Sequence, residues 1–209
     1  MRRTAKARAG QARAGQAKDA IAGAAGGALA TVAMGKVTSY LYEHEPPPVR
    51  ERYERVTGGK GPAERAAEKL EPVLQRVLGR ELSEAQRQTL AQAIHWGLGM
   101  AGGAAYGVLR RRVPHTHWGH GLAYGLEFSV LVDEGLTPLL GLAEPPQAYP
   151  WQAHVRGLVG HLVYGVVTDA ALHAADRVMQ PTARRTRRVT KRTVAAPLTS
   201  LTSARQSRR

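Results

Sequence analysis

The chain has 209 residues, no cysteine, and 30 Lys and Arg against 16 Asp and Glu, a net charge of +14. The length fits one domain with tails, and the missing cysteines exclude disulfides, thiol catalysis and Cys-based zinc sites. So basic a chain points first to nucleic acid or anionic lipid, but the excess lies in the two ends and one turn, which excludes a basic face on a folded domain.

The first segment, 1–19, carries Arg2, Arg3, Lys6, Arg8, Arg13 and Lys18, and repeats Ala-Arg-Ala-Gly-Gln at Ala7–Gln11 and Ala12–Gln16. It reads as a basic, disordered or loosely helical tail, and it lacks the apolar run and small-residue cleavage site of a signal peptide. An apolar helix is expected at 21–42, stopped by Pro46-Pro47-Pro48. The connection 43–89 is charge-balanced and contains a Gly58–Pro62 turn. A helix follows, with Ala66, Leu70, Val73, Leu74 and Val77 at helical spacing, suited to a membrane surface or to capping a bundle. Ser83 and Gln86 form a capping-box signature opening the helix of the second apolar stretch, 90–109.

The turn Arg110-Arg111-Arg112 to Pro114 is too short for anything but an antiparallel neighbour. A third stretch, 118–142, is interrupted by Gly135 and Pro138. The loop after it has no Lys or Arg, holds Pro145, Pro146 and Pro150, and offers Tyr149 and Trp151 to a membrane interface. The fourth stretch is 153–175, and the Arg-, Ser- and Thr-rich segment 177–209 reads as a disordered tail.

The flanks of the four stretches alternate basic, neutral, basic, neutral, basic, which is the positive-inside pattern of four spans with both ends in the cytoplasm. Against it stand a mean hydropathy of −0.32 and the lack of any clean run of ~18 apolar residues. The fold expected is therefore all-α: a four-helix transmembrane bundle over 20–176, with 43–89 outside. Its glycine pairs at four-residue spacing, Gly23/Gly27, Gly99/Gly103/Gly107 and Gly121/Gly125, would pack helix on helix. A soluble helical protein binding nucleic acid through its tails is the competing expectation. There is also an internal echo: Tyr-Gly recurs at Tyr106-Gly107, Tyr124-Gly125 and Tyr164-Gly165.

Threading the chain by its flanks gives each polar residue a depth. At ~1.5 Å per residue, Lys36, His95, Asp133, Glu134 and His161 come out roughly 22–24 Å from the cytoplasmic side, and Arg156 about 30 Å. That is one ionisable layer drawn from four helices, in which the two acids would pair with Lys36 and Arg156. Nearer the cytoplasm, Glu127 and Asp169 reach similar depths, where they would share a proton or pair with His173 or His120. Three readings stand side by side: ion pairs that fix register, proton or ion handling by coupled acid–imidazole groups, and a metal site. The metal reading would use His115, His117 and His120, or His161, Asp169 and His173, and three adjacent arginines disfavour the first trio. No nucleophile–base–acid set is readable, so neither an enzyme nor a cofactor is predicted.

An ordered series of short motifs resembles the YagU-type bacterial inner-membrane proteins, a family of unknown function. The series runs from Lys36 and Tyr42–Arg50 to His95, Tyr106-Gly107 and Pro114–Trp118. It continues through Gly121/Gly125, Pro138–Leu142, Pro145-Pro146 and Pro150-Trp151 to Gly160–Gly165. The similarity covers about 23–50 and 94–176, while 51–89 and the basic tails look unlike it. The resemblance implies a multi-pass inner-membrane protein with a link to acid resistance and no established catalytic residues. Expected partners are the bilayer, anionic lipid at the tails and a second copy of the chain, with nucleic acid ranked below these. A proton or ion transporter or channel subunit is a further expectation.

Overall fold

Helix is the regular structure these residues form. The computed structural model describes residues 2–194, with side chains for 10–178, and no strand occurs among the described residues. The helices are α1 (Arg2–Glu43), α2 (Pro47–Thr57), α3 (Pro62–Leu78), α4 (Glu84–Leu109), α5 (Leu122–Ser129), α6 (Thr137–Leu139) and α7 (Trp151–Val194). The chain divides into two units, Met1–Leu172 and His173–Arg209. The second is helical as far as Val194. The rest of the expected C-terminal tail, 195–209, lies outside the described residues.

Helix α1 begins at Arg2, so of the two readings of the basic tail, disordered or loosely helical, the helical one describes residues 2–19. Its Ala, Arg, Lys and Gln residues are good helix formers, and its first proline is Pro46. Helix α2 was not anticipated, because three prolines read as a stop. They do end α1, but Pro47 and Pro48 then occupy the first turn of α2, where a missing N–H costs nothing. Gly58, at φ 62°, ends α2 with its N–H on the Glu54 carbonyl. The capping box of α4 forms as read: Ser83 Oγ accepts the Gln86 N–H at 3.3 Å, and Gln86 Oε1 accepts the Ser83 N–H at 3.0 Å.

The interruption expected at Gly135 and Pro138 is a widened turn rather than a break. Between α5 and α6 the chain stays helical through a π segment, Val130–Leu136. Pro138 has no N–H to return to the turn before it. The Thr137 N–H reaches back five residues to the Val132 carbonyl, and the Thr137 hydroxyl donates to the Asp133 carbonyl at 2.9 Å.

Glycine sets the helix spacing. Along α1 and α4, Gly107 faces Asp19, Gly103 faces Gly23 and Gly27, and Gly99 faces Thr31, so the two helices run antiparallel with their backbones in contact. Along α5 and α7, Gly121 meets Gly165 and Gly125 meets the His161 backbone. Gly26 lies against Thr168 and Ala171, and Gly160 against Thr38 and Met34, which joins α1 to α7. The three Tyr-Gly pairs serve both purposes. Tyr106, Tyr124 and Tyr164 point to a shared buried cluster with Ala30 and Leu172. The glycine after each tyrosine lies against the backbone of a neighbouring helix.

Among the described residues, two helices are long and apolar enough to cross a membrane, over Gly10–Glu43 and Trp151–Val178, with hydropathies of 1.4 and 1.3. The sequence led us to expect four such spans.

A side chain at Gly103 would bring a Cβ to 2.6 Å from Gly27 Cα and 2.7 Å from Gly27 N, both backbone atoms that cannot turn aside. Gly103→Leu is expected to lower stability by about 3 kcal/mol, the upper range for overpacking. Gly35→Ala, with nothing within 4 Å of the added Cβ, should leave stability unchanged or raised. Thermal unfolding of the detergent-solubilised variants checks both.

Candidate functional site

The acid–base side chains collect at two ends of the first unit. One is the proline-rich end, where α1 gives way to α2 and α6 to α7. The other is the basic end, where α4 gives way to α5.

At the proline-rich end the π segment and α7 face each other. The π segment presents Asp133 and Glu134 in succession, and α7 answers with two histidines seven residues apart, on one stripe. His161 is buried, with Nδ1 3.3 Å from Asp133 Oδ2 and 3.1 Å from the Gly157 carbonyl. Gly157 makes room for the acid, since a Cβ there would stand 3.2 Å from Asp133 Oδ2. His154 Nδ1 lies 2.6 Å from Glu134 Oε1, and its Nε2 lies 3.0 Å from the Pro146 carbonyl. Both ring nitrogens of His154 thus face oxygens. An imidazolium satisfies both, and so does a neutral imidazole beside a protonated Glu134.

Arg156, one residue pair away on α7, is buried and bound differently. Its Nη1 is 2.5 Å from Glu45 Oε1, and its guanidinium stands 4.5 Å from the Tyr53 ring centre and 4.9 Å from that of Tyr42. Tyr42 in turn donates to Glu54 Oε1 at 2.6 Å. This cluster ties the exit of α1 and the start of α2 to α7.

The single ionisable layer expected from depth is therefore split into pairs. Asp133 takes His161, Glu134 takes His154 and Arg156 takes Glu45, rather than the acids taking Lys36 and Arg156. Lys36 is exposed and has no bonded partner among the described residues. His95 is also exposed, in edge contact with the Trp96 ring at 6.4 Å. The sequence reading missed His154, Glu45 and the Tyr42–Tyr53 rings. His154 was findable, because it extends the stripe of Gly157 and His161 one turn outward.

At the basic end Glu127 and Asp169 are not a pair. Half-exposed Glu127 bonds His115 Nε2 at 3.1 Å. Asp169 is buried, accepts the Tyr106 hydroxyl at 2.6 Å on Oδ1, and has His120 Nδ1 4.0 Å from Oδ2. His173 belongs to the second unit. His115 and His120 thus turn to different acids, and among the described residues no three His, Asp or Glu side chains converge as metal ligands.

With this geometry in view, one comparison is decisive: the family described as "Protein of unknown function (DUF1440)" matches residues 48–170. The chain belongs to the DUF1440 family. No curated protein and no solved structure matches it. The DUF1440 region includes His95, Glu127, Asp133, Glu134, Arg156, His161 and Asp169, but not Lys36, Glu45 or His173. It runs through 51–89, which the motif series had left out, and it does not reach the first apolar stretch.

Arg156→Gln would leave the Glu45 carboxylate buried beside a neutral amide. A loss of about 3–5 kcal/mol is expected, whereas Lys36→Gln should stay within about 0.5 kcal/mol of wild type. Denaturation in detergent, followed by helix signal, measures both.

Proposed function

We propose that this DUF1440 protein is a multi-pass membrane protein whose spans are α1, α4, the α5–α6 helix and α7, and that its Asp133–His161 and Glu134–His154 pairs bind and release protons. The observation that carries this reading is an inverted distribution of side chains. The buried set is rich in polar groups: Thr168, Asp169, His161, Arg156, Ser129 and Thr31. Large apolar side chains lie outside, among them Leu29 at 61%, Leu131 at 67% and Leu139 at 82% exposure. A water-soluble bundle would lose the hydrophobic stabilisation of those side chains, whereas a bilayer covers them. The polar groups then lie where lipid cannot reach: Thr31 and Thr168 donate to the carbonyls four residues back, Asp169 accepts from Tyr106, Arg156 meets Glu45 and His161 meets Asp133.

The topology fits this reading. Within the first unit, with α1 antiparallel to α4 and to α7, the arginine-rich turn lies on the same side as the basic start of α1 and the stretch of α7 near Leu172, a side the positive-inside rule assigns to the cytoplasm. The resemblance of the motif series to the YagU-type proteins supports a bacterial inner membrane and an acid-stress setting. The basic ends suit anionic lipid, at about 1 kcal/mol per Lys or Arg near the surface.

Two measurements on the same cells test the proposal. Carbonate and high-salt washes should leave the protein in the membrane pellet, with detergent needed to extract it. Release by either wash would return the chain to the soluble, nucleic-acid-binding reading. Asp133→Asn or His161→Gln, compared at matched protein level, should lower survival of an acid challenge. Survival equal to wild type would make the pairs structural.

A further inference from the structure

Besides the two pairs at the proline-rich end and the half-exposed Glu127–His115 pair, a further acid–imidazole contact stands at the basic end. Asp169 is 2% exposed and lies about two turns of α7 beyond His161. Its Oδ1 accepts the hydroxyl of Tyr106, itself wholly buried. Its Oδ2 looks toward the loop before α5, where His120 places Nδ1 at 4.0 Å while its side chain is 92% exposed. A buried carboxylate thus has a solvent-bathed imidazole beside it.

The loop is shaped to hold that contact. His120 has φ 56°, between Gly119 at 62° and Gly121 at 91°. Glycine takes the left-handed region freely, whereas a histidine there is uncommon and costs free energy. Strain of this kind persists where the surroundings fix it, and it clusters at functional positions. Gly121 lets the loop press on α7, since a Cβ there would stand 3.1 Å from Asp169 Cβ. Among the titratable and charged groups that face it are Tyr106 from α4, with Arg110 acting on it, and His120 from the loop. His173 follows four residues on in the sequence.

Between this site and the proline-rich end lies a layer of rings. Tyr106 and Tyr124 centres are 4.9 Å apart, Tyr124 and Phe128 5.6 Å, Phe128 and Tyr164 5.5 Å, and Phe128 and His161 5.3 Å. The Tyr124 hydroxyl is committed to the Gly102 carbonyl and the Tyr164 hydroxyl to the Gly99 carbonyl. The rings therefore offer no run of hydroxyls from one acid to the other.

We propose that Asp169 is a proton-binding site loaded and unloaded from the basic end through His120, and separate from the two outer pairs. In the loading step the Nδ1–H bond of a His120 imidazolium breaks and an O–H bond forms on Asp169 Oδ2. This leaves a neutral imidazole and a carboxylic acid. The imidazole then takes a proton from water or buffer, and unloading is the reverse. Rotation of the exposed ring, or one bridging water, closes the 4.0 Å gap. The inference rests on the membrane reading only for which aqueous phase supplies the proton.

The test is time-resolved infrared spectroscopy of the full chain after a pH jump from about 8 to 5. The Asp169 carboxylic-acid band is identified by its loss in Asp169→Asn, or by carbon-13 labelling of aspartate in the wild-type background should that variant not accumulate. His120→Asn keeps a residue that tolerates the left-handed backbone but removes the titrating ring. It should reach the same final band while slowing its rise at least about tenfold, with the rate restored by added imidazole. An unchanged rate in His120→Asn, or no Asp169-dependent band, overturns the assignment. Asp133→Asn should leave the band and its rate intact, and loss of the signal there would refute the separation of the two sites. Because the readout is taken in detergent, its failure is distinct from release of the protein by carbonate.

Discussion

The close approach of helix backbones at glycine governs the rest of this structure. Where Gly103 lies on Gly23 and Gly27, and Gly121 on Gly165, no room is left for the Leu and Ile of an ordinary core. Contacts this close are favourable because dispersion sums over many atoms and because neighbouring carbonyls come within reach of side-chain donors. The tyrosines exploit that reach: Tyr124 and Tyr164 donate to the Gly102 and Gly99 carbonyls, which are already bonded within α4 and accept on a second lone pair. The bulky aliphatic residues are left for the outside, and that exposed apolar surface is what the proposed membrane reading rests on.

The charges follow from the same packing. An ionisable group buried in a tight bundle is costly unless a nearby partner meets it. The satisfying partners come from nearby in space at one height, but not from every helix at that height. The π turn matters here. It presents two successive acids to α7, and His154 and His161 of that helix, seven residues apart, each take one. Arg156 is fixed instead by Glu45 and two tyrosine rings, which anchors the connection outside the bundle to α7.

Much of this was legible in the residues. The helix ends at Glu43, Leu109 and Leu139 and the start at Trp151 fall within a few residues of the apolar stretches' bounds, while α1 and α7 run well past them, to Arg2 and Val194. The glycine spacings named the true contact faces, and the Tyr-Gly recurrence marked the buried cluster. What failed was rotation. Counting residues along a helix gives height, while partners are decided by which way each side chain points. His95 lies four residues before Gly99, a spacing that by itself places it on the glycine stripe of α4. The close contact of α1 with α4 ends at Thr31 and Gly99, however. Gly35, the next position along α1, has nothing within 4 Å, and His95 lies open. Pro47 and Pro48 were misjudged for another reason: a proline that stops one helix is equally fit to start the next.

The central claim is that the exterior of this bundle faces lipid, with its proline-rich and basic ends in different aqueous phases. Because the chain has no cysteine, single cysteines probed with a membrane-impermeant maleimide test this directly. Gln147→Cys should be labelled in intact cells and His117→Cys only after lysis. Leu126→Cys, on the exposed face of α5 at 49%, should resist in both states, since lipid excludes the reagent and suppresses the thiolate. If Leu126→Cys were labelled as fast as Gln147→Cys, or if Gln147→Cys and His117→Cys were reached from the same side, the account would be contradicted.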